Sequence, residues 1–528
     1  MSDLAYSQTS LLSSRRSRHI GFIVFAILLA LGAVYVATHL AADLRPVKET
    51  SFLPYVLLGT ALLIALGFEF VNGFHDTSNA VATVIYTNSL EPHLAVIWSG
   101  IWNFLGVLVS TGAVAFGILR LLPVELILQV GQSSGFAMVF ALLIAAIVWN
   151  LGTWYFGLPS SSSHTLVGSI IGVGLANQLM QGPSGSTGVD WNQAIGVGKA
   201  LLFSPLVGFV LSGLLLVALK AFVRVPKLYQ APDGDAPPPL WIRALLILTC
   251  TGVSFAHGSN DGQKGMGLIM LILIGTVPTA YALNKSITPS ETQTFIAVAH
   301  KASAALAAGP GSGAPSADPR QDVEAYIQTH HMTAATLPAL KRLTDRIADE
   351  VAQSGIADAP QNVVNHVRND MYVAASAIQL IEETKSVEFP RDDARAIHDF
   401  RTQMDRATKF IPDWVKVAVA MALGLGTMVG WKRIVVTVGE KIGKQHLTYG
   451  QGAAAETVAM LTIGAADVWG MPVSTTHVLA SGIAGTMAAN GSGLQGRTVR
   501  NLVLAWVLTL PASIALAAVL YWVFHQIF

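Results

Sequence analysis

The sequence predicts an all-α, polytopic membrane protein made of two related halves, and three observations carry that prediction. First, 52% of the 528 residues are hydrophobic and only 12% are charged, with a mean hydropathy of +0.54. An ordinary soluble domain carries about 25% charged residues. Second, the apolar residues form long runs divided by short polar stretches, many of the runs near the roughly 20 residues that cross a bilayer. Third, two polar segments recur within that apolar sequence, once per half and in the same order.

The clearest repeat is Gly157-Leu-Pro159-Ser-Ser161-Ser162-Ser163-His164, matched by Gly470-Met-Pro472-Val-Ser474-Thr475-Thr476-His477. A proline after a glycine stops a helix, because proline lacks a donor and clashes with the preceding turn. Polar, broken backbone at bilayer depth is tolerated only where protein buries it or water reaches it. Its duplication is the pattern of a secondary transporter assembled from internal repeats. The apolar runs that follow, 166–179 and 478–489, are about 14 and 12 residues long, where about 20 are needed to cross. Each segment is therefore expected to form a re-entrant helical hairpin. An acidic segment precedes each: Asn72-Gly73-Phe-His75-Asp76-Thr-Ser78-Asn79 and His257-Gly258-Ser259-Asn260-Asp261-Gly262-Gln263-Lys264. Their alignment puts an aspartate at the same station of both halves, and a helix is expected to break at each.

The elements follow in order. Residues 1–45 hold a basic segment (Arg15, Arg16, Arg18) and an apolar run over 20–43. That run is too long for a signal-peptide core, so it reads as an extra N-terminal transmembrane helix with its N-terminus in the cytoplasm. Residues 50–223 form the first repeat. Residues 224–240 are a Pro/Gly/Asp-rich linker flanked by Lys220, Arg224, Lys227 and Arg243, expected in the cytoplasm. The second repeat spans 241–284 and 413–528. Between them, residues 285–412 carry nearly half of the 32 Lys and Arg and 31 Asp and Glu residues. Apolar residues there keep helical spacing, as in Leu337, Leu340, Leu343 and Ile347. This insertion is expected to be a helical domain in the cytoplasm. Lys432, Arg433, Lys441 and Lys444 read as a cytoplasmic loop that sets orientation, and Trp98, Trp102 and Trp506 as interface anchors.

The polar segments hold the candidate chemistry. A carboxylate near the bilayer centre costs at least ~2.5–3.5 kcal/mol, so Asp76 and Asp261 must be paired, protonated, bound to a cation or facing water. In a transporter they are the natural coupling groups; the alternative is that each caps the half-helix after it. Glu69, two turns before Asp76, is a candidate for proton access. The hydroxyls of Ser161, Ser162, Ser163, Ser474, Thr475 and Thr476, with the free N–H groups of a helix start, suit a tetrahedral oxyanion. Close helix packing by small residues is the competing explanation. Asn79 follows Asp76 by three residues and shares its helix face, where Lys264 stands in the second copy. Lys264 would neutralise Asp261 or contact the anion. His75, His164, His257 and His477 are candidates to shuttle protons or hydrogen-bond the anion, or are satisfied structural groups. Glu456 and Asp467 are balanced between function and helix packing.

With these residues together, the chain resembles the inorganic phosphate transporter (Pit) family, and within it the bacterial low-affinity phosphate carriers. The resemblance runs from about residue 50 to the C-terminus and rests on 72–87, 257–267 and 470–479. It implies two inverted-topology repeats, a pair of opposed hairpins meeting near the midplane, and symport of inorganic phosphate with a cation across the cell (inner) membrane. It also implies phosphate ligands at Ser161, Ser162, Ser163, Ser474, Thr475 and Thr476, with Asn79, Asn260 and Lys264, and coupling groups at Asp76 and Asp261. Sodium-coupled members tend to carry Asn-Asp-x-x-Asn in both repeats. Here His75 replaces the first Asn and Lys264 the last, which favours a proton as the coupled ion. Sodium is the alternative coupled ion, and the resemblance also allows phosphate to travel as a neutral complex with a divalent metal. The extra N-terminal helix departs from the family pattern.

Some classes are disfavoured. A net charge of +1 gives no basic surplus for nucleic acid. The single cysteine, Cys250, excludes an intramolecular disulfide and a cysteine metal cluster, and no resident metal or cofactor is expected. An intramembrane hydrolase using Ser161 to Ser163 with His164 would need one activated serine, not a cluster repeated with threonines. Sulfate and arsenate remain rival oxyanions. A homodimer is compatible with the sequence, which does not fix the assembly.

Overall fold

The computed structural model describes residues 15–45, 53–76, 78–121, 133–181, 189–234, 236–310, 313–357 and 361–527. Among them there is no strand, only an isolated bridge between Gly443 and Leu494. Residues 1–14, the start of the expected basic segment, lie outside this set, as do the side chains of Arg15, Arg16 and Arg18.

The first half contains α1 (Arg15–Leu44), α2 (Leu53–Asp76), α3 (Ser78–Tyr86), α4 (Pro92–Val109), α5 (Ala113–Leu119), α6 (Ser133–Tyr155), α7 (Ser162–Gln181) and α8 (Trp191–Phe222). A 3-10 turn, Pro226–Tyr229, lies in the linker. Next come α9 (Leu240–Thr276), α10 (Pro278–Tyr281), and the insertion helices α11 (Pro289–Ala308), α12 (Pro319–Thr329), α13 (Thr336–Ser354), α14 (Gln361–Thr384) and α15 (Arg391–Thr408). The chain ends with α16 (Asp413–Thr427), α17 (Lys432–Glu440), α18 (Tyr449–Val468), α19 (Thr475–Asn490) and α20 (Gly496–Ile527). Seven described helices are long and apolar enough to cross a membrane, or eight if the bent pair α15 and α16 counts as one span. The helices after the two Pro-Ser-His segments, α7 and α19, are not among them. α7 is 20 residues long, more than its apolar run suggested, because Ser162–Thr165 and the polar end join the helix.

Glycine lets these helices approach closely. A Cβ on Gly258 of α9 would strike the backbone of Asn103 in α4, and one on Gly426 of α16 the backbone of Phe70 in α2. Such packing explains a departure from the sequence reading. α2 ends at Asp76 as expected, but α9 runs unbroken for 37 residues through the second acidic segment. Its glycines, Gly258, Gly262 and Gly265, face Asn103, Val107 and Glu69. They serve helix contact, and Asp261 is a mid-helix residue that caps nothing.

Direction follows from pairs of contacts. α4 and α9 run the same way, with Ser99 Oγ 2.7 Å from Ser254 Oγ and Asn103 Oδ1 2.7 Å from His257 Nδ1. α7 runs alongside α20, Gly168 facing Ser513 and Tyr521 Oη donating to Asn177 Oδ1 at 3.0 Å. α19 runs alongside α8, Gly208 facing Val478 and Lys220 donating to Asn490 Oδ1.

The two ends of the bundle are clear. At one end Asn88 Nδ2 donates to Gly234 O in the linker (2.8 Å), Arg243 Nε to Ser89 O (2.8 Å) and Tyr86 Oη to Glu440 (2.6 Å). At the other, Asp43 accepts from Tyr281 Oη (2.5 Å) and Trp414 Nε1 (3.2 Å), at the root of the insertion. Asn192 contacts His330 there at 3.0 Å. α9 joins the two ends, and α1 ends at the insertion. The expectation that the N-terminus, the linker and residues 285–412 all lie in the cytoplasm therefore fails. The insertion stands at the end opposite both the linker and the start of α1. Charge density marks a segment as wet but says nothing of its side.

Within the insertion, Leu337, Leu340, Leu343 and Ile347 are all buried on one face of α13 and belong to the same core as Phe295, Phe400 and Met404. α11 opens with a capping box between Thr288 and Glu291. Those hydrogen bonds, with Arg406 beside the carboxylate, hold Glu291 below its usual pKa. Asp370 moves the other way, since burial raises its pKa despite Arg346 at 2.8 Å.

Candidate functional site

Both Pro-Ser-His segments begin with a glycine in the left-handed region, Gly157 at φ +66° and Gly470 at φ +64°, which a side chain would strain. A proline follows, then a new helix. Ser161 Oγ accepts from His164 N (3.2 Å), and Ser474 Oγ accepts from His477 N (3.1 Å). The first hydroxyl of each tip therefore caps its own helix. The next two are left to reach across the site.

The nearer of each pair reaches an aspartate. Ser162 Oγ lies 2.5 Å from Asp76 Oδ2 and 2.8 Å from Asn72 Oδ1. Thr475 Oγ1 donates to Asp261 Oδ2 at 3.5 Å. The tips also touch each other, Ser163 Oγ donating to Val473 O at 2.8 Å, and Asn79 of α3 donates from Nδ2 to Thr476 Oγ1 of the second tip at 3.1 Å. The rings of His164 and His477 are 4.6 Å apart. Asn260 Nδ2 donates to Met471 O beside the second tip (3.2 Å).

Each aspartate has nitrogen partners. His75 Nδ1 is 2.6 Å from Asp76 Oδ1, while its Nε2 meets Thr153 Oγ1 at 3.1 Å. Lys264 Nζ is 2.7 Å from Asp261 Oδ1 and also donates to Ser163 Oγ. His257 Nε2 is 3.3 Å from Asp261 Oδ2. Asp76, His257 and Asp261 each offer a ligand atom, all within 4.8 Å of one another. Two carboxylate oxygens and an imidazole nitrogen suit a small cation or a shared proton. From sequence, this trio is not grouped as a metal set; His257 is there a candidate proton shuttle, a hydrogen-bonding group to the anion or a structural residue. Glu69 Oε2 accepts from Asn72 Nδ2 at 3.4 Å, one residue removed from Ser162. These groups are all buried. Asn79 Oδ1 and Asn260 Oδ1 are buried acceptors that no hydrogen bond among the described residues satisfies, which leaves both open to a donor or a cation.

Other residues depart from their sequence reading. Trp506 is not an interface anchor: it stacks on His477 at 4.3 Å and donates from Nε1 to Pro159 O at 3.0 Å, clasping both tips. Glu456 lies apart from the aspartates, bound by Thr249 Oγ1 at 2.5 Å and by Thr83. Asp467 accepts from Ser259 Oγ (2.6 Å) and Gln263 Nε2 (2.5 Å), fixing α18 to α9. Asn72 and Val473 fall within the polar segments read from sequence but receive no role there: Asn72 acts through its side chain on Ser162, and Val473 through its backbone carbonyl.

Residues 72–517 match the model of the phosphate transporter family. The chain belongs to that family. It is 42% identical over 490 residues to the low-affinity inorganic phosphate transporter PitA of Escherichia coli (strain K12), covering 89% of this chain and 97% of that one. It is 27% identical to a probable low-affinity inorganic phosphate transporter of Bacillus subtilis (strain 168), covering 90% and 99%. A solved structure titled "The sodium-dependent phosphate transporter" is similar at 20% identity and a TM-score of 0.49, over 90% of this chain and 100% of that one. The chain is thus a membrane transporter and not an enzyme.

Proposed function

We propose that this transporter moves inorganic phosphate by proton-coupled symport, importing it through alternating access across the cell (inner) membrane. The observation that carries the reading is the convergence of both hydroxyl tips on paired carboxylates, Ser162 on Asp76 and Thr475 on Asp261. Hydroxyls and the N–H groups of two helix starts receive phosphate oxygens. A protonated phosphate oxygen donates back to Asp76 or Asp261, which sulfate at neutral pH cannot do. The names of the relatives point to the same substrate.

Two inverted repeats fit the directions of the elements. α7 follows α20 toward the insertion end, and α19 follows α8 toward the linker end, so the tips enter from opposite sides. Rocking one repeat-derived bundle against the other would expose a site at their junction to each side in turn.

Basic residues set the orientation. Lys220, Arg224, Lys227, Arg243, Lys432, Arg433, Lys441 and Lys444 all belong to the linker end. By the positive-inside bias that end faces the cytoplasm, and the 285–412 helices face outward.

A proton is favoured because His75 and Lys264 supply the aspartates with fixed nitrogen partners. A sodium-coupled or metal–phosphate mode keeps support from the Asp76, His257 and Asp261 trio. Phosphate uptake into proteoliposomes, with proton and sodium gradients imposed separately, decides between them. Asp76→Asn should abolish uptake in a protein that still folds, and undiminished uptake would refute the reading.

A further inference from the structure

Outside the site, a recess of about 650 Å³ lies between the foot of the first tip and α17, lined by Trp154, Tyr155, Phe156, Arg433, Thr437 and Lys441 among others. Its wall includes three cations, Lys432, Arg433 and Lys441, and no acidic side chain. All three are exposed, and none takes part in an ion pair among the described residues. The Arg433 guanidinium is held in place: it lies 5.1 Å from the Trp154 ring and 4.9 Å from the Tyr155 ring, and donates to Tyr155 O at 2.5 Å. Tyr155 and Phe156 are 60% and 75% exposed, so the recess opens onto apolar surroundings. A cationic floor beside an exposed aromatic wall fits an amphiphile with an anionic head.

We propose that this recess binds an anionic phospholipid, its phosphate on Arg433, Lys432 and Lys441 and its chains along Tyr155 and Phe156. A free phosphate ion would use the same cations, but it gains nothing from the exposed aromatic wall. Occupancy would reach the transport site through backbone. Arg433 holds the Tyr155 carbonyl and Thr437 Oγ1 holds the Gly157 carbonyl at 2.7 Å, on either side of the turn that begins the first tip. Lipid bound to Arg433 would stiffen the foot of the element carrying Ser162 and Ser163.

The test uses the full-length protein in nanodiscs of phosphatidylcholine with increasing phosphatidylglycerol, followed by intact-complex mass spectrometry. The unaltered chain should retain phosphatidylglycerol over phosphatidylcholine. Lys432→Gln/Arg433→Gln/Lys441→Gln should lower that preference about tenfold or more, since each cation near an anionic headgroup adds to attraction. Equal retention of both lipids by the unaltered chain would overturn the proposal without any variant. Displacement of the retained lipid by millimolar inorganic phosphate would also overturn it, assigning the cations to free phosphate instead.

Discussion

Lys264 and Asp261 lie three residues apart on one unbroken helix, their charged atoms 2.7 Å apart and both side chains fully buried. The same ammonium donates to Ser163 on the opposing tip. One lysine therefore holds an acid of the second half and a hydroxyl of the first.

Breaking that pair should be costly, and breaking it symmetrically less so. Lys264→Gln removes the ammonium partner of a buried carboxylate, leaving it only His257 and Thr475, and breaking such a pair costs about 3–5 kcal/mol. Lys264→Gln with Asp261→Asn should recover much of that stability without restoring uptake. Thermal unfolding of the purified single and double variants reads the coupling directly. Additive effects would mean that the pair does not interact.

The two hydroxyl roles within one tip should separate. Ser162→Ala removes the hydroxyl shared by Asp76 and Asn72, and a hydrogen bond to a charged group is worth about 1.5–3 kcal/mol. Uptake should fall roughly tenfold to a hundredfold. Ser161→Ala removes a cap, costing about 1 kcal/mol of stability, with a smaller effect on uptake. Initial rates paired with unfolding midpoints for both variants check this, and the reverse order would exchange the roles.

Orientation is testable because the only cysteine, Cys250, is buried. Asp233→Cys in the linker and Asp392→Cys in the insertion are both at exposed positions. A membrane-impermeant thiol reagent applied to intact cells should label position 392 and spare position 233 until the membrane is opened. Labelling of 233 alone would invert the assignment.

Close packing by glycine predicts a fourth outcome. Gly258→Ala puts a methyl group against the Asn103 backbone, which cannot yield as a side-chain end can. A loss of about 1–3 kcal/mol is expected for such overpacking, read as a lowered unfolding midpoint. Gly464→Ala, with open space around it, should leave the midpoint unchanged or raise it.

Legibility in the sequence varied with the kind of signal. Hydropathy marked the apolar helices, and the helical spacing of Leu337, Leu340, Leu343 and Ile347 marked a packed face in the insertion. The tips stood out because the same proline, hydroxyl and histidine pattern occurs twice within apolar sequence, where a single copy reads equally well as close helix packing. The unbroken α9 was misread, since Gly258, Gly262 and Gly265 look alike whether they break a helix or admit a neighbour. Trp506 was misread because a tryptophan near a span end has the same local sequence whether it meets lipid or clasps two turns.

The chain by itself determined which residues are polar within an apolar setting, and that they occur twice. Those are properties of neighbours along the backbone. Only the tertiary structure decided that Ser162 meets Asp76, that Lys264 spans from Asp261 to Ser163, and that the insertion stands opposite the linker. Each depends on helix direction and on contacts between residues 86 or more positions apart, or on a turn of helix that local composition left ambiguous.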